Sequence, residues 1–342
     1  MAQSAQPEVN VVDVDVDVDV LVVGAGPSGL YAAYYAGFRG LTTAIVDALP
    51  EAGGQVTALY PEKMIFDIAG FPAVRGKDLV ENLVAQAAPF LPRYLLGQQA
   101  VSYEQVEGAV LIGTDSGTTI RAKAVIVTGG IGTFNPRPLP GGAGWVGRGL
   151  EYIVPTYLPY AGKDVVVVGG GDSAVDWALG LEDVATSVTL VHRRAEFRAH
   201  AHSVKLLRDS GIDVVTPAQV VAVNGRTELA SVTVTDVKTK ESRDLPAQAI
   251  VAALGFTADI TPLEAWGLDV RERHIMVDTT MATNLPRVFA AGDITEYPGK
   301  VRLISVGFGE AATAVNNAAT VIDPEATVFP GHSTEQLEGP AA

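Results

Sequence analysis

The sequence has no cysteine. That excludes disulfides, thiolate metal centres and catalytic thiols, and with them any route by which electrons leave through a dithiol. Basic side chains are also scarce: 24 Lys and Arg stand against 39 Asp and Glu, a formal net charge of −15. This balance argues against sequence-independent binding of DNA or RNA, which needs cations to neutralise phosphates. It also means that an acidic protein partner would be repelled except at a local basic patch. No apolar run approaches the ~18–20 residues of a membrane span. Residues 1–7 show neither the basic n-region nor the apolar h-region of a secretory signal. The expectation is a soluble, cytoplasmic protein with no membrane or nucleic-acid partner.

What the chain has in quantity is glycine, 36 residues in 342, a length that suggests two domains each with its own core. Two glycine-rich turns each close an apolar β-run. The first, Gly24-Ala25-Gly26-Pro27-Ser28-Gly29, follows Val20-Leu21-Val22-Val23. The second, Gly169-Gly170-Gly171-Asp172-Ser173-Ala174, follows Val165-Val166-Val167-Val168. Two such turns imply two dinucleotides, usually a flavin and a nicotinamide. Each opens a strand–helix–strand unit: a helix over 30–38 and a strand over 41–46, then a helix over 173–181 and a strand over 187–192. A loop-rich stretch to about residue 76, a helix over 77–90, strands over 121–128 and 247–253, and a helix over 307–322 complete the reading. The fold class is α/β, with two Rossmann-like dinucleotide-binding domains in three ββα layers. The second module interrupts the first, so residues 1–131 and 257–342 form one domain, with a tail from about 323, and residues 132–256 the other.

Ahead of the first turn, residues 11–19 read Val-Val-Asp-Val-Asp-Val-Asp-Val-Asp, a strict alternation from the second valine on. A central parallel strand buried on both faces should be uniformly apolar, so the core strand is expected to begin near residues 19–20, with the repeat as an exposed acidic lead-in. Asp13, Asp15 and Asp17 match the first half of a calcium-loop pattern. Val18 stands where that loop needs glycine and Gly24 where it needs glutamate.

The chemistry follows from backbone and charge. Gly24 permits the tight turn, Gly26 lets the backbone approach a pyrophosphate, and Gly29 lets helix and strand pack closely. The helix N-terminus then offers free N–H groups and the positive end of its dipole. Asp47 ends the second strand, where an acid accepts from ribose hydroxyls. In the second module Gly170, Asp172 and Ser173 occupy the turn, but the following strand ends in His192-Arg193-Arg194, with Arg198 beyond. Guanidinium groups suit a 2′-phosphate that an acid would repel, so the prediction is NADP(H) over NAD(H). Asp293, after Ala290-Ala291-Gly292, is expected near a flavin ribityl chain, and the last helix to aim its N-terminus at the flavin pyrimidine edge.

Together these motifs resemble the thioredoxin reductase superfamily. That superfamily's Cys-x-x-Cys is absent before the second turn, where the chain reads Gly149-Leu150-Glu151-Tyr152-Ile153-Val154-Pro155-Thr156. The segment Gly53-Gly54-Gln55-Val56-Thr57-Ala58-Leu59-Tyr60-Pro61-Glu62-Lys63, then Asp67-Ile68-Ala69-Gly70-Phe71-Pro72, and the tail His332-Ser333-Thr334, resemble the thioredoxin-reductase-like ferredoxin/flavodoxin–NADP⁺ reductases. The likeness runs from about Val20 to Thr334. It implies FAD held by Ser28, Asp47, Gln55, Tyr60, Phe134, Asp293 and Thr334, with a backbone contact near Ala100. Tyr60 would stack on one flavin face and His332 on the other, the latter supplied by the same chain or by its partner in a homodimer. It implies hydride transfer from NADPH to flavin N5 and single-electron transfer to ferredoxin or flavodoxin, with no side chain named as an acid–base catalyst and no metal. Lys63, Lys300 and Arg302 are candidates for a basic patch facing an acidic ferredoxin. Another acceptor, such as a quinone or ferric complex, and a non-enzymatic redox sensor are the alternative readings.

Overall fold

The computed structural model describes residues 14–130, 132–154 and 156–332. In chain order the elements begin with β1 Val16–Val23, α1 Pro27–Phe38, β2 Thr43–Asp47, α2 Gln55–Leu59, β3 Met64–Ile65, β4 Val74–Arg75 and α3 Gly76–Ala87. The strands β5 Arg93–Leu96, β6 Ala100–Val106, β7 Ala109–Thr114, β8 Thr119–Val127, β9 Thr133–Pro136 and β10 Leu150–Glu151 follow. The second glycine turn lies between β11 Asp164–Gly169 and α4 Asp172–Glu182, and leads to β12 Ser187–Val191, α5 Ala201–Asp209 and β13 Asp213–Val215. Next come β14 Ala218–Gly225, β15 Leu229–Asp236, β16 Ser242–Pro246, β17 Ala249–Ala253 and β18 Phe256–Asp259. The chain closes with α6 Thr261–Glu264, β19 Val270–Arg271, β20 His274–Met276, β21 Val288–Ala290, β22 Thr295–Glu296 and α7 Ile304–Ile322.

The chain packs as two compact units. One is Met1–Gly54, Asn82–Ile131 and Ile260–Ala342, the other Gln55–Glu81 and Gly132–Asp259. The segment carrying Gln55 and Tyr60 thus belongs to the second unit.

The first unit is built on the sheet β5-β2-β1-β8-β7-β6. Strands β5, β2, β1 and β8 run parallel. The far side of β8 is divided: Thr119–Ala122 pairs antiparallel with β7, and Val125–Val127 pairs parallel with β21. That fork lets one strand serve both a Rossmann-type sheet and an antiparallel extension. Val20, Leu21 and Val22 are fully buried, each worth about 1.5–3 kcal/mol of apolar burial.

β1 begins at Val16, earlier than the expected start near residues 19–20. The Val–Asp repeat is part of the strand: Val16 and Val18 are buried, whereas Asp15 and Asp17 face solvent. The Asp side is zipped to β8. Asp15 accepts the Thr119 N–H at 2.8 Å, Asp17 pairs with Arg121 at 3.2 Å and Asp19 with Lys123 at 2.8 Å. Period-two alternation with charge complementarity across the ladder makes a strand end that is apolar on one face and ion-paired on the other. Asp13 lies outside the described residues, while Asp15 is engaged by the Thr119 N–H and Asp17 by the Arg121 guanidinium.

Helices α1 and α7 pack side by side in the same direction. Ser28 lies against Gly307 near their N-terminal ends, Tyr31 meets Phe308 with ring centroids 5.2 Å apart, and Arg39 reaches Asn316 at 2.7 Å near the other end. Tyr31, Tyr34, Tyr35 and Phe38 form an aromatic run along α1, joined by Phe90. The tail after α7 is tied to the C-terminal end of α1, where the Arg39 guanidinium donates to the carbonyls of Thr327 and Val328.

The second unit has a fully parallel sheet, β10-β17-β11-β12-β13, beside an antiparallel meander β14-β15-β16. The stretch that the sequence reads as loop-rich up to residue 76 contains α2 and the β3–β4 hairpin. Val154, in the position range where the resembled superfamily carries its thiols, is fully buried and packed with Val165, Trp177 and Val251.

Candidate functional site

At the first turn the three glycines do different work. Gly24 has φ +115°, and a Cβ there would lie 2.6 Å from the Thr128 carbonyl oxygen. A Cβ on Gly29 would lie 1.9 Å from the Gly24 oxygen. The Thr128 hydroxyl donates to the Gly24 carbonyl at 2.8 Å and secures the bend. Gly26 is the N-cap of α1, with ordinary extended dihedrals, and a Cβ on it would meet nothing within 4 Å. The protein thus needs no glycine at Gly26 for its own packing, and the bare surface is where another group can sit. No side chain caps α1 and its first turn holds no acid, so its N–H groups are available to an anion.

The second turn repeats the glycine arrangement, but the first turn of α4 holds an acid, Asp172. Gly169, with φ +158°, would bring a Cβ to 2.4 Å from the Ala253 oxygen. Gly170 is filled from below by the His192 ring, 2.2 Å from a would-be Cβ. Gly171 is the N-cap of α4, uncapped by any side chain, and its Cβ position is open. Gly171 therefore corresponds to Gly26, a residue whose role the sequence reading passed over. The signal was present, since each N-cap glycine comes two residues after the strand-ending glycine. Asp172 accepts the His200 N–H at 2.9 Å, and Ser173 lies in the first turn of α4.

Arg193, Arg194 and Arg198 follow β12 and are exposed. Their guanidinium groups make no side-chain hydrogen bond or ion pair among the described residues, while the Arg198 N–H is held by the Gly170 carbonyl at 2.7 Å. His192 is buried, stacked on Phe197 with centroids 5.3 Å apart, and its Nε2 lies 3.2 Å from the Glu196 carbonyl. Burial, and then the nearby guanidinium groups, hold its pKa below the usual histidine value against that hydrogen bond. The imidazole is a wedge under the turn, and the arginines are its free cations.

Asp47 ends β2 partly buried. One carboxylate oxygen accepts the Ala25 N–H at 2.6 Å and the other the Leu49 N–H at 2.8 Å. Burial pushes this carboxyl up, and the two N–H donors act against that. Asp47 thus clamps the turn to the strand end while each oxygen keeps a second acceptor direction for a hydroxyl. The Gln98 N–H donates to the Asp47 carbonyl at 3.0 Å, which brings Ala100, at the start of β6, toward the same end of the sheet.

At the end of β21, Gly292 has φ +83°, and a Cβ on it would come within 2.8 Å of the Ser28 hydroxyl. A Cβ on Gly307 would come within 2.3 Å of the same hydroxyl. Ser28, Gly292 and Gly307 thereby gather the N-termini of α1 and α7 at one corner, beside Asp293. Like α1, α7 has no side-chain cap and no acid in its first turn. The pairing of two uncapped helix N-termini fits an anionic, oxygen-rich ligand.

Gln55 opens α2 and Tyr60 follows it, both in the second unit. Phe134 lies in β9, its side chain outside the described residues, as is Thr334. His332 is exposed and meets the Phe329 ring edge-on at 5.2 Å. The expected basic patch requires correction. The Lys300 side chain is only 1% exposed and is bonded to Glu310, so it presents no charge to a partner. Lys63 is paired with Asp176 at 2.7 Å and Arg302 with Glu296 at 2.6 Å. Burial of Lys300 depends on α7, which its local sequence does not reveal.

The paired turns and parallel sheets define a two-dinucleotide oxidoreductase fold. Residues 18–318 match the pyridine nucleotide-disulphide oxidoreductase family, and the chain belongs to it. Among curated relatives, the ferredoxin–NADP reductase of Nocardioides sp. is 64% identical over 92% of this chain and 96% of its own length. That of Frankia alni is 60% identical over 92% and 98%, and that of Thermus thermophilus 48% over 92% and 96%. Among solved structures, T. acidophilum thioredoxin reductase superposes with a TM-score of 0.76 at 27% identity, covering 91% of this chain and 99% of that one. The family name specifies a disulphide, but this chain has no cysteine to form one.

Proposed function

We propose that the chain is an FAD-containing ferredoxin–NADP reductase that moves electrons between NADPH and ferredoxin or flavodoxin. The observation that carries this reading is the pair of N-cap glycines, Gly26 and Gly171, each with an open Cβ position and an uncapped helix, the second beside three exposed arginines. The unit containing Gly24 is assigned FAD and the unit containing Gly169 is assigned NADP(H). The high identity to curated ferredoxin–NADP reductases over nearly their whole length supports the same assignment.

The chain's own groups have clear tasks in this reading. The N–H groups at Gly26 and at the start of α1 bind the FAD pyrophosphate, and Asp47 accepts from the adenosine ribose. Asp293 accepts from the ribityl hydroxyls, and the N-terminus of α7 stabilises negative charge on the ring. The N-terminus of α4 binds the NADP pyrophosphate, and Arg193, Arg194 and Arg198 hold the 2′-phosphate. FAD, when bound, supplies the two-electron to one-electron exchange that no side chain here can perform. Gln55, Tyr60, Phe134, Ala100, His332 and Thr334 remain FAD contacts proposed on the resemblance. A cytoplasmic setting is part of the same proposal.

A homodimer is also proposed. The anchored tail supports it, since Arg39 holds Thr327 and Val328 at the far end of α1, about 20 Å from Gly26 by helical rise. The step from Val328 to His332 spans at most about 14 Å of extended chain. By this measure the tail does not span the length of α1 back to its own first turn, which favours a role for it in a neighbouring copy.

The test is anaerobic reduction of purified ferredoxin and of purified flavodoxin by NADPH, with NADH as control. Reduction of either carrier with NADPH well above NADH is expected. Flavin bleaching by NADPH with neither carrier reduced would replace the ferredoxin assignment by another acceptor. A flavin that NADPH does not bleach would refute the enzyme reading.

A further inference from the structure

Glu310 lies on the buried face of α7, 5% exposed, within an otherwise small and apolar surface of Gly307, Ala311 and Ala314. One carboxylate oxygen accepts the Tyr297 hydroxyl at 2.5 Å and the Lys300 ammonium at 2.5 Å. The other accepts the Gly292 N–H at 2.8 Å and the same ammonium at 2.7 Å. Lys300 uses its remaining donor on the Gly292 carbonyl at 2.9 Å, which also accepts the Thr295 hydroxyl at 2.8 Å. Both polar groups of Gly292 are therefore held by opposite ends of a single buried ion pair.

A buried ion pair is a poor way to stabilise a fold, because desolvation of both charges offsets their attraction and packed apolar side chains serve as well. This pair sits directly behind the corner formed by Ser28, Gly292 and Gly307. In a trans peptide the Asp293 N–H points opposite to the Gly292 carbonyl. Lys300 polarises that carbonyl, strengthening the Asp293 N–H as a donor aimed away from the network. The Asp293 carboxylate makes no side-chain hydrogen bond among the described residues, so both its groups are free to meet a ligand.

We propose that Lys300 and Glu310 are positioning residues that fix the Gly292–Asp293 corner and, by balancing each other's charge, set the reduction potential of the flavin bound there. The proposal rests on the assignment of FAD to this unit. Two-electron reduction with uptake of one proton leaves the ring one negative charge richer. A buried positive charge close by favours the reduced state, and a buried negative charge disfavours it. The intact pair contributes neither sign, leaving the α7 N-terminus as the main positive influence.

The experiment measures the midpoint potential of the bound FAD at one fixed pH. Xanthine and xanthine oxidase serve as reductant against a dye of known potential. Glu310→Gln leaves Lys300 uncompensated and should shift the potential upward. Lys300→Met leaves Glu310 uncompensated and should shift it downward. The double variant should return toward the wild-type value. Tyr297→Phe, which keeps both charges but removes a donor to Glu310, should shift it downward by less, and it carries the sign if a single charge variant does not fold. A structural role alone moves all variants the same way or none of them, and either result overturns the proposal. A wild-type protein that binds no FAD overturns this proposal together with the cofactor assignment. Bound FAD with unchanged potentials overturns this proposal alone.

Discussion

The contrast between Gly26→Ala and Gly29→Ala separates a glycine required by the fold from one required by a ligand. The Gly29 methyl would stand 1.9 Å from the Gly24 oxygen and 2.6 Å from the Thr128 hydroxyl. The first atom is backbone within the tightest part of the turn, so β1 and α1 must separate. The expected loss of stability lies at the upper end of overpacking, about 3 kcal/mol. The Gly26 methyl meets nothing within 4 Å, and the backbone there, φ −71° and ψ 179°, suits alanine. The loss of an N-cap glycine and the reduced entropy of the unfolded chain nearly offset, so folding should change by less than about 1 kcal/mol. The methyl does, however, occupy the surface through which N–H groups approach a pyrophosphate. Losing a single charge-assisted hydrogen bond costs about 1.5–3 kcal/mol, roughly 10- to 150-fold in affinity. Urea unfolding of the apo-proteins gives the first quantity and titration with FAD the second. If Gly26→Ala binds FAD as the wild type does, the pyrophosphate is not at this turn. If it unfolds as readily as Gly29→Ala, the reasoning from open space is wrong.

Replacing Arg193 and Arg194 by alanine should raise the KM for NADPH by about ten-fold or more per arginine, with NADH use little changed; steady-state kinetics with both nucleotides would show this, and equal loss with both would remove the phosphate role. Asp19 offers a pH prediction. Burial alone would push its carboxyl up, but the Lys123 ammonium and the Thr42 hydroxyl and N–H outweigh that and hold it below the usual value. A depressed carboxyl contributes stability above its unfolded pKa, and the contribution is lost as pH falls through the folded value. Asp19→Asn should therefore destabilise the protein by up to about 1 kcal/mol at neutral pH, because the pair is partly exposed, and the difference from wild type should close as pH falls below the usual carboxylate range. A gap in urea midpoints that is independent of pH would show that the charge is not the source.

The glycine turns, Asp47 and the arginines after β12 were legible because their geometry is local: a turn, a strand end and a helix start are encoded within a few neighbouring residues. The Val–Asp repeat was legible as a strand pattern but not as part of the core sheet. Its cations, Arg121 and Lys123, lie 104 residues further along the chain, and only the β1–β8 register brings them opposite. Lys300 looked like a surface charge because nothing beside it in sequence neutralises it.

The amino-acid sequence by itself determined two glycine-turn modules of the dinucleotide-binding type and the absence of a thiol route, since these depend on short-range backbone freedom and composition. Tertiary structure alone decided which glycines are packed by the protein and which are left open. It also decided that α1 and α7 bring their N-termini to one corner, and that Glu310 and Lys300 meet beneath it. Those properties arise from contacts between segments far apart in the chain, where burial and the loss of water determine what a charge or a bare Cα can do.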